Sequence, residues 1–243
     1  MPEGPVIIIL KEELQQFNHK KVIAAKGYTP KLNPDMLIGK TITDIKTWGK
    51  HLLICFPKFT VRVHLMLFGS YQINTHGKRN ATLSLQFTSG EVNFYISSVI
   101  LIEKPLDEVY DWSADVMNDK WSTEKAIEKL KAKPKTLIGD ALLDQKIFSG
   151  VGNIIRNEAL FRSRIHPESR IGDIPDKKLK ELADETVHYS FDFLKWKKQG
   201  VLTKHFEAYE QAMCPRDHIP LHKADLGKTK RHTYYCDKCE VLY

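Results

Sequence analysis

Asp144-Gln145-Lys146-Ile147-Phe148-Ser149-Gly150-Val151-Gly152-Asn153-Ile154-Ile155-Arg156-Asn157-Glu158-Ala159-Leu160-Phe161 is the stretch on which the fold turns. Gly150 and Gly152 punctuate it, and a glycine-rich turn there opens a helix predicted over 153–163. The first-turn N–H groups of a helix lack intrahelical acceptors and favour a phosphate, and Asn153 adds a side-chain donor at that point. As a plain helix start, Asn153 reads equally well as an N-cap for 154–163. Working outward, the period predicts further helices over 136–147 and 176–198, with Pro167 in a connecting loop. Ser122 is a fair N-cap for Thr123 to Lys131. The middle of the chain is therefore helical.

Toward the N-terminus the period changes. Between residues 20 and about 105, short β-prone runs alternate with turn signals: 21–23, 42–45, 51–56, 61–65, 82–87 and 92–96, broken by Gly39, Pro57, Gly77 and Gly90. That spacing predicts a β-sandwich or barrel. Residues 105–122, with Pro105, acidic groups and two tryptophans, read as a linker. Val6 to Leu10 is too short for the apolar region of a signal peptide and runs straight into Lys11-Glu12-Glu13, so it reads as the start of a buried helix.

Composition narrows the partner. The 243-residue chain has room for two domains and substantial cores, and none of its apolar runs approaches the roughly 20 residues of a membrane-spanning helix. Lys and Arg number 37 against 30 Asp and Glu, a net charge of +7 spread along the whole chain. A basic surface suits a polyanion, because each cation set against a phosphate releases condensed counterions.

The four cysteines stand at 55, 214, 236 and 239. Cys55 sits in a β-prone run and reads as a core thiol. Cys236-Asp237-Lys238-Cys239 is a C-x2-C knuckle, a spacing that lets two thiolates of one turn reach the same tetrahedral ion. Upstream, Cys214-Pro215-Arg216-Asp217-His218 offers a third thiolate and an imidazole, with seventeen residues between His218 and Cys236 for a β-hairpin. The expected ligands of one structural Zn2+ are Cys214, His218, Cys236 and Cys239. Asp217 is the rival fourth ligand. The residues between the ligands are basic: Lys223, Lys228, Lys230, Arg231 and His232.

Three segments, Met1-Pro2-Glu3-Gly4-Pro5, Asp144 to Phe161, and Arg231-His232-Thr233-Tyr234-Tyr235-Cys236, resemble the formamidopyrimidine-DNA glycosylase and endonuclease VIII family, in the right order and across essentially the whole chain. The resemblance implies a multi-domain α+β protein. Its parts would be an N-terminal β-sandwich with a leading helix (1–118), a helix-two-turn-helix domain (119–204) and a C-terminal β-hairpin zinc finger (205–243). DNA would bind in a cleft between domains. The implied activity is removal of oxidised bases from double-stranded DNA and nicking of the abasic site by β,δ-elimination, by a monomer working in the cytoplasm with the nucleoid of a bacterium.

On the same resemblance each site residue has a role. Removal of Met1 would expose the secondary amine of Pro2, a nucleophile for C1′ of the damaged nucleotide that forms a Schiff base. Glu3 would move protons beside the sugar. Trp48-Gly49-Lys50-His51-Leu52-Leu53 matches a turn whose lysine, Lys50, would contact phosphate and steady charge at the abasic sugar. Asn153 and Arg231 would grip the backbone, the planar fork of Arg231 suiting a bidentate hold on the phosphate flanking the lesion. Met66, Leu67 and Phe68 would wedge into the space left by the extruded base.

Several positions depart from the family pattern. Val6 stands where glutamate is usual, His218 replaces a cysteine, residues 95–100 lack an Asp-x-Arg-x-Phe loop, and 200–206 is short for a lesion-capping loop. The two missing loops, with the Gly4 start and the Met66-Leu67-Phe68 triad, point to the endonuclease VIII branch and oxidised pyrimidines. The rival readings are a non-catalytic, zinc-containing damaged-DNA-binding protein of the same fold, and an RNA-associated protein.

Overall fold

Ile7, Leu10 and Leu14 recur at helical spacing, and their burial against a sheet sets the first element, α1 (Gly4–Leu14), in the computed structural model, which describes residues 2–243. Pro5 is tolerated in the first turn, where its missing N–H has no intrahelical acceptor to satisfy. Six strands follow: β1 (Ala24–Gly27), β2 (Asp44–Trp48), β3 (His51–Cys55), β4 (Thr60–Ile73), β5 (Leu83–Phe87) and β6 (Gly90–Ile102). They pair antiparallel in the order β1-β5-β6-β4-β3-β2. The sheet wraps as a sandwich around one core, with Phe17, Leu52, Val63, Leu85 and Phe94 among its buried members, and α1 packs on β2 and β3. Cys55 is buried at the end of β3, and burial pushes its thiol pKa up.

Two strands, β4 and β6 (expected only over 92–96), outrun their sequence pattern. Apolar alternation stops at Leu65, yet β4 continues to Ile73, because pairing with β6 resumes at Ser70↔Tyr95 after a register shift. Lys21–Ile23 is not a strand: Lys21 forms an isolated bridge to Thr41, and β1 starts at Ala24.

A short helix, α2 (Leu106–Val109), closes the first of two compact units, which divide between Tyr110 and Asp111. The second unit holds α3 (Thr123–Lys131), α4 (Ile138–Ala141), α5 (Asn153–Ser163), α6 (Asp176–Lys198) and the hairpin β7 (His222–Leu226) with β8 (Arg231–Tyr235). Ser122 caps α3 as its type predicts, its hydroxyl accepting from Lys125 N–H at 3.2 Å. The continuous helix expected over 136–147 is instead the four-residue α4 followed by turns. Side chains compete with the helix there: Asp144 accepts from Lys146 N–H at 3.0 Å and Gln145 from Gly150 N–H at 3.1 Å. No helix among the described residues is long and apolar enough to cross a membrane.

Candidate active site and metal centre

The expected catalytic residues share the first unit. Glu3 is the N-cap residue of α1, extended (φ −110°, ψ 173°) and only 2% exposed, and its carbonyl accepts from Val6 N–H at 2.9 Å. Pro2, half-buried, precedes it, so the helix delivers Pro2 and Glu3 together at one end. Trp48 pairs with His51, leaving Gly49 and Lys50 as a two-residue loop in which Gly49 takes the positive φ (51°) such loops need. Lys50 is buried, at 8% exposed. Removal of Met1, which a Pro2 amine requires, falls on a residue outside the described ones.

Around that loop the sheet gathers basic side chains. His51 lies directly across from His64, their rings edge-on with centroids 5.3 Å apart, and Trp48 and Tyr110 pack beside them. Burial, reinforced by Arg62, His64 and Lys50, depresses the His51 pKa to about 3. Burial followed by Lys50 and Arg62 lowers that of His64. Both imidazoles are therefore held toward their neutral form beside Lys50 and Arg62, a basic setting that suits an anion. Sequence reading named Lys50 but missed this grouping. The only sign of it was the pairing of two histidine-bearing strands, visible once register is known.

Met66, Leu67 and Phe68 occupy the register shift in β4 and are 45%, 43% and 76% exposed, not core. Gly69 anchors the bulge, since a Cβ there would meet Ile96 O and Met66 N at 2.8 Å. Across from it Ile96 adopts φ 48°, an outlying backbone conformation for a β-branched residue. Three large apolar side chains thus stand out from a braced bulge.

The second unit holds the remaining candidates. Asn153 is the first residue of α5; the N-cap is Gly152, which uses no side chain. The Asn153 amide donates to His232 O on β8 at 2.9 Å. Asn157 Oδ1 accepts from Tyr234 N–H at 2.7 Å, and buried Arg156 donates to Thr233 Oγ1 at 2.6 Å. Glu158, fully buried, accepts the N–H groups of Glu207, Ala208 and Tyr209, the last at 2.7 Å. Burial raises its pKa against those three donors. The consecutive polar side chains of α5 thus mount the strand that begins at Arg231. Sequence reading missed that mount, although Arg156-Asn157-Glu158 inside an apolar helix was its signal.

Cys214, Cys236, Cys239 and Asp217 bring one ligand atom each within 4.8 Å of one another. The fourth donor is a correction: His218 is not in the cluster. Its backbone turns left-handed (φ 56°) and its N–H closes a turn on Cys214 O at 2.9 Å, while Asp217 comes to the thiols. The spacings fit a small tetrahedral ion. Zn–S bonds of about 2.3 Å put two thiolates about 3.8 Å apart, and the Cys214 and Cys239 sulfurs are 3.9 Å apart. Asp217 Oδ2 stands 3.6 and 3.4 Å from the Cys214 and Cys236 sulfurs. Among the described residues, these four would hold the ion.

A sandwich with a proline-tipped helix, followed by a helical unit bearing a thiol-clustered hairpin, defines the class of helix-two-turn-helix DNA glycosylase folds. Residues 1–97 match the formamidopyrimidine-DNA glycosylase N-terminal domain and residues 113–202 the formamidopyrimidine-DNA glycosylase H2TH domain. The chain belongs to the formamidopyrimidine-DNA glycosylase and endonuclease VIII family. It is 33% identical to Endonuclease 8-like 3 of Xenopus laevis over 84% of this chain, and spans only 35% of that relative's length. It is 26% identical to Probable endonuclease 8 2 of Streptomyces coelicolor, covering 99% of this chain and 94% of that one. Lactococcus lactis formamidopyrimidine DNA glycosylase, solved with DNA containing an abasic site, shares the fold at a TM-score of 0.84 and 22% identity, over 98% of this chain and 99% of that chain.

Proposed function

We propose that the chain is a DNA glycosylase and abasic-site lyase that uses the Pro2 amine as nucleophile on double-stranded DNA carrying oxidised bases or abasic sites. The observation that carries this reading is the delivery of Pro2 together with the buried carboxylate of Glu3 by one helix packed on β2 and β3, the strands whose loop holds Lys50. The Pro2 nitrogen attacks C1′ as the glycosidic bond breaks, and the base leaves with a proton. Opening of the C1′–O4′ bond, with a proton delivered to O4′, gives the iminium, which acidifies the C2′ proton; loss of that proton expels the 3′-phosphate in β-elimination, and loss of the C4′ proton then expels the 5′-phosphate in δ-elimination. Glu3 serves as the proton carrier, and the field around Lys50 favours the phosphate and the developing charge.

Met66, Leu67 and Phe68 fill the space of the extruded base, and Arg231, on the strand mounted by α5, holds a flanking phosphate together with Asn153. Zinc in the cluster of Cys214, Asp217, Cys236 and Cys239 would supply the fixed turn geometry that the small hairpin cannot draw from its own core. The departures at 95–100 and 200–206, with Gly4 and the triad Met66 to Phe68, favour oxidised pyrimidines. The place of work is wherever the DNA is, the nucleoid of a bacterium on this reading.

Borohydride reduction tests the proposal. Protein processed at Met1 becomes covalently joined to abasic-site DNA under borohydride, and Pro2→Thr does not. Binding of abasic DNA with neither adduct nor nick in the processed protein sinks the enzymatic reading.

A further inference from the structure

The first unit also carries a basic, aromatic groove away from Pro2, Glu3 and Lys50. Two depressions, about 460 and 270 Å3, share Tyr28 as a common wall. The larger lies within the usual size of ligand sites, about 300–1,000 Å3. Lys26 and Arg79 line it, and Lys31 lines the smaller, so both carry positive charge. Neither Lys26 nor Arg79 has a carboxylate partner among the described residues.

Tyr28 is 62% exposed although its hydroxyl is held, accepting from Thr82 Oγ1 at 3.3 Å. A tethered ring with an uncovered surface is a stacking platform. Asn93 also lines the larger depression and is 1% exposed. Its amide nitrogen donates to Thr75 O at 2.9 Å and Glu91 Oε1 at 3.2 Å, while Oδ1 has no hydrogen-bond partner among the described residues. A buried acceptor left in this state is costly, and a base amine is a group that satisfies it. At the other end Ile96 lines the smaller depression, and its carbonyl abuts Gly69 in the bulge of Met66 to Phe68.

We infer that this Tyr28 groove binds unpaired nucleotides of a single strand running up to the bulge. Aromatic surface beside positive charge is the means by which proteins hold single strands without reading sequence. A duplex does not suit it, because paired bases have their faces covered by their neighbours. The groove neither includes Pro2 nor needs its chemistry.

A fluorescent thymidylate decamer titrated against the full chain tests the inference by anisotropy. Tyr28→Ala weakens binding about tenfold, as loss of one base-stacking partner does, and Tyr28→Phe restores it. Arg79→Ala weakens binding and lowers the salt slope by about 0.7 for the one phosphate lost. Both variants nick abasic duplex at the parent rate, which separates the groove from the chemistry. A ribothymidylate decamer, with the same base on ribose, distinguishes the source: equal dependence on Tyr28 assigns the groove to unpaired nucleotides of either sugar, and dependence with the deoxy decamer alone narrows it to DNA. Photocrosslinking of an iodouracil-bearing decamer to the unsubstituted protein should map to Tyr28. Unchanged decamer affinity in both alanine variants, or crosslinks only elsewhere, overturns the inference. A protein that binds the decamer through Tyr28 but leaves abasic DNA unnicked keeps the groove and loses the proposed activity.

Discussion

Asn157 on α5 and Tyr234 on β8 are joined by a 2.7 Å hydrogen bond from the Tyr234 N–H to Oδ1 of Asn157, with the two residues only 1% and 8% exposed. A buried N–H deprived of its acceptor keeps the full desolvation cost, about 1–3 kcal/mol. Asn157→Leu is therefore expected to lower the unfolding free energy by about that amount in denaturant titrations. A loss below about 0.5 kcal/mol would show that the bond is not what holds the strand.

Arg231 begins the strand held in this way. Arg231→Ala should weaken binding to abasic duplex and reduce the slope of log affinity against log salt by about 0.9, the signature of one lost phosphate contact. Affinity measured across a salt series decides it. An unchanged slope would remove Arg231 from the phosphate-gripping set.

Metal content follows from the cluster of Cys214, Asp217, Cys236 and Cys239. One zinc per chain is expected by plasma mass spectrometry. In competition with a chelator, Asp217→Ala should lose affinity by more than the roughly 10- to 100-fold typical of a supporting residue, and His218→Ala should hold it. The opposite ranking would restore the histidine as ligand.

Stability against pH should show His51. Its folded pKa is depressed to about 3 from the ordinary 6.5, so between those values the unfolded chain binds a proton that the folded chain refuses. Stability then rises with pH through this window and falls on acidification, with a slope of at most about 1.4 kcal/mol per pH unit from one proton. His51→Gln should flatten the denaturation midpoints measured between pH 4 and 6.5. Parallel curves for the two proteins would place the acid sensitivity elsewhere.

Much of this molecule was readable where its signals are contiguous. The Cys236 and Cys239 thiols sit in one knuckle, Ser122 announces the start of α3, and Gly152 marks the opening of α5. What escaped depends on the path of the backbone. Spacing alone admits both Asp217 and His218; the fold brings Asp217 to the thiols and leaves His218, with its left-handed backbone, outside the cluster. The turns of 142–147 look helical until Asp144 and Gln145 bond to nearby N–H groups. The polar run Arg156-Asn157-Glu158 faces partners far along the chain, at His232 to Tyr234 and 207–209, which no local pattern can name.

The tip of the hairpin is tied to the helical scaffold at a point remote in sequence from the ligands. Asp140, in α4, accepts the Lys228 N–H at 3.0 Å and lies so near Gly227 that a Cβ there would meet its carboxylate at 2.2 Å. Stripping the ion would loosen the knuckle while this far anchor and the α5 bonds to residues 232–234 keep their grip, so the demetallated hairpin would stay seated and slacken only around its ligands. An alanine at 227 would both meet the Asp140 carboxylate and have to hold a left-handed φ of 70°, so it would unseat that anchor while leaving every ligand in its place.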